Sequence, residues 1–315
     1  TGLLPLLKSI QQPTHIKEFA GQVVGVDGYV WLHRGAIACA VDLALGRPTR
    51  KYVDYAMHRV HMLQHYGVKP YLVFDGANLP SKRHTEIERK KSRDEARQEV
   101  MKLFRAGRSS EAYQCCQKAI DITPTMASLF IRSLEKESIP YVVAPYEADA
   151  QLAYLEKKNI ISAVVSEDSD LLVFGVRCLL TKLNEYGDCI AIKRSKLGEC
   201  KDLDLSSFDD TLFRHMAILS GCDYTPGIPN VGLKKSHMYL KRYKNAERAM
   251  QFMALDGKIN IPMGFRSEFE RADITFKHQR VYDPIEEKVV MWTKPVGYEL
   301  PAELDHAVGP YVVLI

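Results

Sequence analysis

Four short apolar runs along the chain each stop at acid: "QVVGVD" at Asp27, "PYLVFDG" at Asp75, "YVVAPYEAD" at Glu147 and Asp149, and "AVVSEDSD" at Asp168 and Asp170. The runs have the length and β-branched content of buried strands, whereas Asp is a poor strand former and is seldom buried without a partner. Each acid is therefore expected where a strand stops. Between the runs the spacing of apolar positions turns helical, over residues 29–45, 50–66, 82–105, 109–119, 124–137 and 147–158. Strands alternating with helices predict an α/β fold: a mostly parallel twisted sheet with helices on both faces. Ligands bind such sheets beyond the carboxyl ends of the strands, so all four acidic ends should meet on one edge.

In an extended chain, side chains two apart share a face, so Asp168 and Asp170 are expected to point together while Glu167 turns away. Glu147 and Asp149 would diverge by about 200° in mid-helix. In the first turn after Pro145 both can face the strand ends, where the helix dipole tolerates their charge. Asp223, in "ILSGCDY", follows a helical run and can join them. A solvated turn accounts for any one of these stretches alone. As a converging set they repel, since two carboxylates about 5 Å apart at an effective dielectric of 20 cost about 3 kcal/mol. Something cationic must bind there. Oxygen-only ligands suit hard divalent ions, magnesium or manganese, and two such ions about 4 Å apart suit phosphodiester hydrolysis.

Composition fits an ordinary globular chain: 315 residues, 46% hydrophobic and 26% charged. No apolar run approaches the roughly 20 residues of a membrane helix, and the first residues lack signal-peptide form, so an intracellular protein is expected. Seven cysteines form no CxxC pair, which argues against a zinc ribbon or a disulfide framework. The net charge is +4, but residues 82–108 hold ten Lys or Arg against five Asp or Glu, a local +5 that leaves the rest near −1. A basic helical segment on a neutral body suggests an anionic polymer as partner; a solvated, salt-bridged helix is the alternative.

The stretches "VDGYVWLHRGA", "LVFDGANLPSKR", "APYEADAQLAYL", "SEDSDLLVFG" and "LSGCDYTPGIPNVG" together resemble the flap-endonuclease-like family of structure-specific 5′ nucleases, over almost the whole chain. Tyr-Val-Trp-Leu-His-Arg after Asp27 and Asp-Leu-Leu after Ser169 resemble its eukaryotic 5′→3′ exonuclease 1 branch. The resemblance implies a PIN-like nuclease core whose two Mg2+ (or Mn2+) ions are held by Asp27, Asp75, Glu147, Asp149, Asp168, Asp170 and Asp223, with Asp149 bridging them. It implies catalytic roles for the metal-site acid Asp170 and for a cationic pair, Lys82 and Arg89, at the base of a helical arch, which contacts the scissile phosphate. Two helical turns separate that pair, which places both on one face; cationic groups there stabilise charge building on a phosphoryl oxygen.

The same resemblance assigns DNA contacts to Tyr29, His33 and Arg93, with His33 stacking on a base. It assigns a helix-two-turn-helix element to "GIPNVGLKKSHMYLKRYK", where Gly227, Val231, Gly232, Lys234 and Lys235 meet the duplex backbone, and a K+ ion to Ser220, Gly227 and Val231. Within one nuclease domain, 1–315, the expected parts are an N-terminal region (1–105), the arch (82–122), an internal region (123–225), the helix-two-turn-helix element (218–250) and a C-terminal packing segment (251–315).

The expected protein is a nuclear monomer that degrades duplex DNA from 5′ ends, nicks and gaps and cuts 5′ flaps in mismatch repair and end resection. Mismatch-repair proteins and a sliding clamp would bind through a tail beyond Ile315, and no membrane is involved. Family members begin Met-Gly-Ile ahead of the position of Thr1, which this chain lacks. Alternatives are an inactive scaffold of the same fold, which would have lost some acids, and a nucleotide-sugar transferase using "DSD", which leaves the basic segment unexplained. His58, His61 and His65 share a helical face as zinc ligands can, but without an HExxH or a cysteine pair they read as a solvent-facing stripe.

Overall fold

The computed structural model describes residues 2–257, 259–297 and 299–310. The expectations attached to Thr1 and to the end of the chain at Ile315 lie outside the described residues.

A short helix, Leu3–Leu6 (α1), and an edge strand, Gln12–His15 (β1), precede the first predicted strand, Val23–Asp27 (β2). Gly28–Ile37 (α2), Ala40–Ala44 (α3) and Lys51–His65 (α4) follow it, and then Lys69–Phe74 (β3). The basic segment forms a helical hairpin, Arg83–Arg105 (α5) and Ser109–Lys118 (α6), and Pro124–Lys136 (α7) leads to Tyr141–Val143 (β4). Ala148–Lys157 (α8), Ala163–Val165 (β5), Asp170–Phe174 (α9), Cys178–Thr181 (β6) and Asp188–Lys193 (β7) complete the sheet region. Beyond it lie Asp210–Ser220 (α10), Leu233–Tyr243 (α11), Ala246–Leu255 (α12), Phe265–His278 (α13), the hairpin Arg280–Asp283 (β8) with Lys288–Met291 (β9), and Ala302–Ala307 (α14).

Among the described residues the main sheet runs β1-β7-β6-β5-β2-β3-β4. The pairs from β6 through β4 are parallel, and only β1–β7 and β6–β7 are antiparallel. The chain moves outward from β2 to β3 and β4, then returns to pair β5 on the other side of β2. The carboxyl edge between β2 and β5 is thus a topological switch point, where open α/β sheets bind ligands.

Strand alternation divides the core in two. Val24, Val26, Leu72, Phe74 and Val165 pack with α2, α4 and α7, while Val73 and Val164 pack with α8, α9, α10 and α13. The sheet is covered on both faces, as the uninterrupted apolar runs require. The C-terminal helices build one of these two cores and so belong to the same packed unit as the sheet.

Two local expectations are corrected. The helix predicted over 29–45 breaks at Cys39 (φ −122°, ψ 25°), with α2 ending at Ile37 and α3 starting at Ala40. The "SEDSD" stretch is not extended: β5 stops at Val165, Ser169 is already αR, and Asp170 opens α9. Asp168 Oδ1 accepts the Asp170 N–H at 2.8 Å, so the side chain that was expected to lie alongside Asp170 caps its turn.

Candidate active site

Each of the four parallel strands β2–β5 delivers acid to the switch point, and backbone amides fix where each carboxylate sits. Asp27 is the N-cap of α2, its Oδ1 accepting from the Tyr29 and Val30 amides at 3.0 and 3.2 Å. Asp75 Oδ1 accepts from the Ala148 amide at 2.7 Å, tying the end of β3 to the start of α8. A Cβ at Gly76 would lie 2.0 Å from the Ala144 carbonyl oxygen, so only glycine lets the β3 and β4 ends close up and bring Asp75 beside Glu147. Glu147 is the N-cap of α8 and Asp149 lies in its first turn, as expected.

Burial first, and then mutual repulsion, pushes up the pKa values of Asp27 and Asp149. Asp27 is pushed up to about 7 by burial and then by the neighbouring Asp75. Asp149 is pushed well above the usual carboxylate range by burial and by Asp168 and Asp27. Asp75 is raised mainly by burial, against the pull of the Ala148 amide and Lys82. Asp149 Oδ1 is buried with no hydrogen-bond partner among the described residues. Asp170 is buried at the head of α9.

Lys82 and Arg89 meet this cluster from the base of α5. The Lys82 ammonium lies between Glu147 Oε1 at 2.8 Å and Asp223 Oδ2 at 2.9 Å, and Arg89 Nη2 reaches Asp223 Oδ2 at 3.0 Å. Burial lowers the Lys82 pKa, but Glu147, Asp223 and Asp149 outweigh it and hold it well above the ordinary lysine value. Burial raises Asp223 in turn, yet Lys82 and Arg89 outweigh it and keep this acid below its usual value. Lys82 is held in place from below: Ser81 Oγ contacts Thr275 Oγ1 at 2.9 Å and donates to the Ala307 carbonyl at 2.7 Å.

Amides thus hold one oxygen each of Asp27, Asp75 and Asp168, and cations hold Glu147 and Asp223. Consistently, no three His, Cys, Asp or Glu side chains among the described residues converge on a single point at ligand distance as they stand. The seven acids are gathered on one edge, but not yet as a closed coordination shell.

The other predicted residues surround this edge. Tyr29, His33, Asp75, Arg89 and Arg93 line a cleft of about 1020 Å³ beneath the α5–α6 hairpin. His33 is exposed there, and partial burial lowers its pKa. Arg93 pairs with Asp121 at 3.3 Å on the cleft wall. Gly227, Val231, Gly232, Lys234 and Lys235 lie in or just after the turn between α10 and α11. The left-handed Gly227 (φ 77°) packs so closely that a Cβ would meet the Gly221 nitrogen at 2.4 Å. Ser220 Oγ donates to the Ala217 carbonyl at 2.9 Å, and Lys235 caps the Asn230 carbonyl at 2.8 Å. His58, His61 and His65 face solvent, and His61 pairs with Glu137 at 2.7 Å.

The chain matches the XPG N-terminal domain over residues 1–96 and the XPG I-region over residues 138–223, the two segments that carry the acids. It is 46% identical over 98% of its length to exodeoxyribonuclease 1 of Schizosaccharomyces pombe, and 40% identical over 91% to the DNA damage-inducible protein DIN7 of Saccharomyces cerevisiae. The chain belongs to the flap-endonuclease-like family of 5′ nucleases, with relatives in its exonuclease 1 branch. It spans 54% of the length of the S. pombe relative and 67% of that of DIN7. Among solved structures, the Holliday junction-resolving enzyme GEN1 in complex with product DNA and Mg2+ ion shares the fold, with a TM-score of 0.59 and 20% identity over 91% of this chain and 66% of that one.

Three side chains at the site escaped sequence reasoning. Tyr224 and Gln279 both donate to Glu147 Oε2, at 2.5 and 2.8 Å. Arg34, one helical turn past Val30, pairs with Glu167 at 2.7 Å and turns that acid away from the cluster. Tyr224 directly follows Asp223, which was a usable signal; nothing near Gln279 in sequence was.

Burial of repelling acids has a measurable consequence. Asparagine at Asp27 keeps the cap acceptor and removes the charge. In EDTA at alkaline pH, Asp27→Asn should be more stable than wild type by at least about 1 kcal/mol, read by urea unfolding. A less stable variant would show that Asp27 is not under electrostatic load.

Proposed function

We propose that this chain is the catalytic portion of a metal-dependent 5′→3′ double-stranded DNA exonuclease that also cuts 5′ flaps, acting in the nucleus in DNA repair. The observation that carries this reading is the acid edge itself: carboxylates from four parallel strand ends, with one buried Asp149 oxygen without a partner, faced by Lys82 and Arg89. An all-carboxylate donor set fits hard divalent cations. Asp27, Asp75, Glu147, Asp149, Asp168, Asp170 and Asp223 would hold a pair of Mg2+ or Mn2+ ions. Bound there, such ions lower the pKa of water and act as Lewis acids toward phosphoryl oxygens.

The chain's own residues then supply position and charge. Lys82, whose pKa the surrounding acids raise, is placed with Arg89 beside it to neutralise a scissile phosphate carried onto the acid edge. Tyr29 and His33 line the cleft where an unpaired terminal nucleotide would lie, with His33 open for stacking and Arg93 along the strand path. Residues 82–122 would act as the arch over that strand, and 218–250 as the duplex-gripping element. In the latter, the tight Gly227 turn leads into the amino terminus of α11, which has no side-chain cap and would offer its backbone amides to phosphates, with Lys234 and Lys235 adding charge. A K+ ion held by the Ser220 hydroxyl and the Gly227 and Val231 carbonyls would bridge protein and phosphate. Duplex DNA is the proposed partner of the monomer, and mismatch-repair proteins and a sliding clamp are proposed partners of segments outside this chain. Among the described residues no helix is long and apolar enough to cross a membrane.

Magnesium-dependent release of nucleotides from 5′-labelled blunt, nicked, recessed and flapped duplexes tests the reading. Asp170→Ala should abolish cleavage and leave DNA binding largely intact. Lys82→Ala and Arg89→Ala should each slow single-turnover cleavage roughly 10-fold or more with smaller changes in affinity. Full activity in Asp170→Ala would refute the assignment.

The potassium site has a separate readout. Duplex affinity should be greater in potassium than in matched lithium buffer, and Ser220→Ala should blunt that difference while cleavage of pre-bound substrate stays near normal. If the Ser220 hydroxyl only closes the last turn of α10 onto Ala217, Ser220→Ala will lower the melting temperature and leave the cation preference unchanged, which would remove the ion site.

A further inference from the structure

Both oxygens of Glu147 are engaged, and the two are treated differently. Oε1 faces the Lys82 ammonium at 2.8 Å. Oε2 points the other way, into a buried pocket, where it accepts from the Tyr224 hydroxyl at 2.5 Å and the Gln279 amide at 2.8 Å. Gln279 Nε2 also lies 3.2 Å from the Tyr224 hydroxyl oxygen, which closes a three-membered ring of hydrogen bonds. Tyr224 is 7% exposed and Gln279 is fully buried. Neither belongs to the segments that match the XPG domains, which end at Asp223.

The ring has a fixed sense. Glu147, as a carboxylate, only accepts, so the phenol must donate. The Gln279 amide likewise turns its NH2 toward Glu147, and in doing so leaves its own Oε1 buried without a partner among the described residues. Rotating the amide would set a carbonyl against a carboxylate. A glutamine that keeps an orphaned acceptor in order to donate twice is organised around the Glu147 charge.

We propose that Tyr224 and Gln279 are positioning residues for metal binding: they tether Oε2 of Glu147, so that Oε1 is the oxygen offered to a divalent ion, in exchange for its bond to Lys82. The inference rests on the divalent-metal reading of the acid edge. It makes Glu147 a one-oxygen ligand. It also ties metal affinity to the junction of α13 and β8, where Gln279 lies, remote in sequence from every predicted acid. Outer partners that orient a ligand typically contribute 10-fold to 100-fold to metal affinity.

Tyr224→Phe removes one hydroxyl and no packing volume, and Gln279→Met keeps the shape while removing both polar atoms. Binding of Mn2+ to the DNA-free protein, followed by calorimetry, should weaken about 10-fold or more in either variant. The Mg2+ concentration for half-maximal cleavage should rise in parallel, while the rate at saturating Mg2+ stays close to wild type. In a Glu147→Gln background, where metal binding is already weakened, adding Tyr224→Phe should change Mn2+ affinity no further. Mn2+ affinity unchanged in both single variants, with Glu147→Gln still weakened, would overturn the positioning role alone. Unchanged affinity in Glu147→Gln itself would overturn the metal reading, and this inference with it.

Discussion

Repulsion among carboxylates at the carboxyl ends of adjacent parallel strands is the constraint around which the rest of this structure is arranged. Topology makes the crowding unavoidable, because β5, β2, β3 and β4 are neighbours and each ends in acid. Two features keep it tolerable in the folded chain. Amide donors at the starts of α2, α8 and α9 each take one carboxylate oxygen, and the Lys82 ammonium divides Glu147 from Asp223. Burial, joined by the repulsion they leave uncompensated, raises the pKa values of Asp27, Asp75 and Asp149. A site that stores this much like charge is poised for a multivalent cation, and the same charge holds Lys82 protonated where a phosphate would arrive.

The groups that tolerate the charge also connect the parts of the molecule. Lys82 joins the basic hairpin to the sheet edge and to the Asp223 turn; Ser81, its neighbour, joins the same point to α13 and α14. Asp75 and Gly76 bind the β3 end to the start of α8. The basic hairpin, the acid edge and the C-terminal helices are therefore held in one register by a few short contacts around the residues proposed to do the chemistry. Such placement on strand ends and helix caps gives more precise geometry than free loops would.

Much of this was legible in the sequence because it is local. Apolar β-branched runs ending in Asp or Glu marked β2–β5 and their acids, and the two-turn spacing of Lys82 and Arg89 marked a shared face that converges on Asp223. The misread parts depend on backbone detail that periodicity does not carry. Asp168 was assigned to an extended stretch, but its side chain captures the Asp170 amide and turns the chain into α9. The pattern over 29–45 remains apolar through Cys39, so nothing flagged the break between α2 and α3. The partners of Glu147 were hidden for a different reason: Tyr224 and Gln279 lie 77 and 132 residues from it, and only the packed C-terminal helices bring them in.

The central claim, that this edge is built to take divalent cations, is tested most directly by melting temperature as Mn2+ is titrated, without DNA, into wild type and Asp149→Asn. Ligand that binds only the folded state stabilises it in proportion to the logarithm of its concentration above Kd. Wild type should gain stability steadily over the titration, whereas Asp149→Asn, lacking the charge on a buried carboxylate whose Oδ1 has no partner among the described residues, should gain much less. An equal rise in both proteins, or none in wild type, would contradict the account.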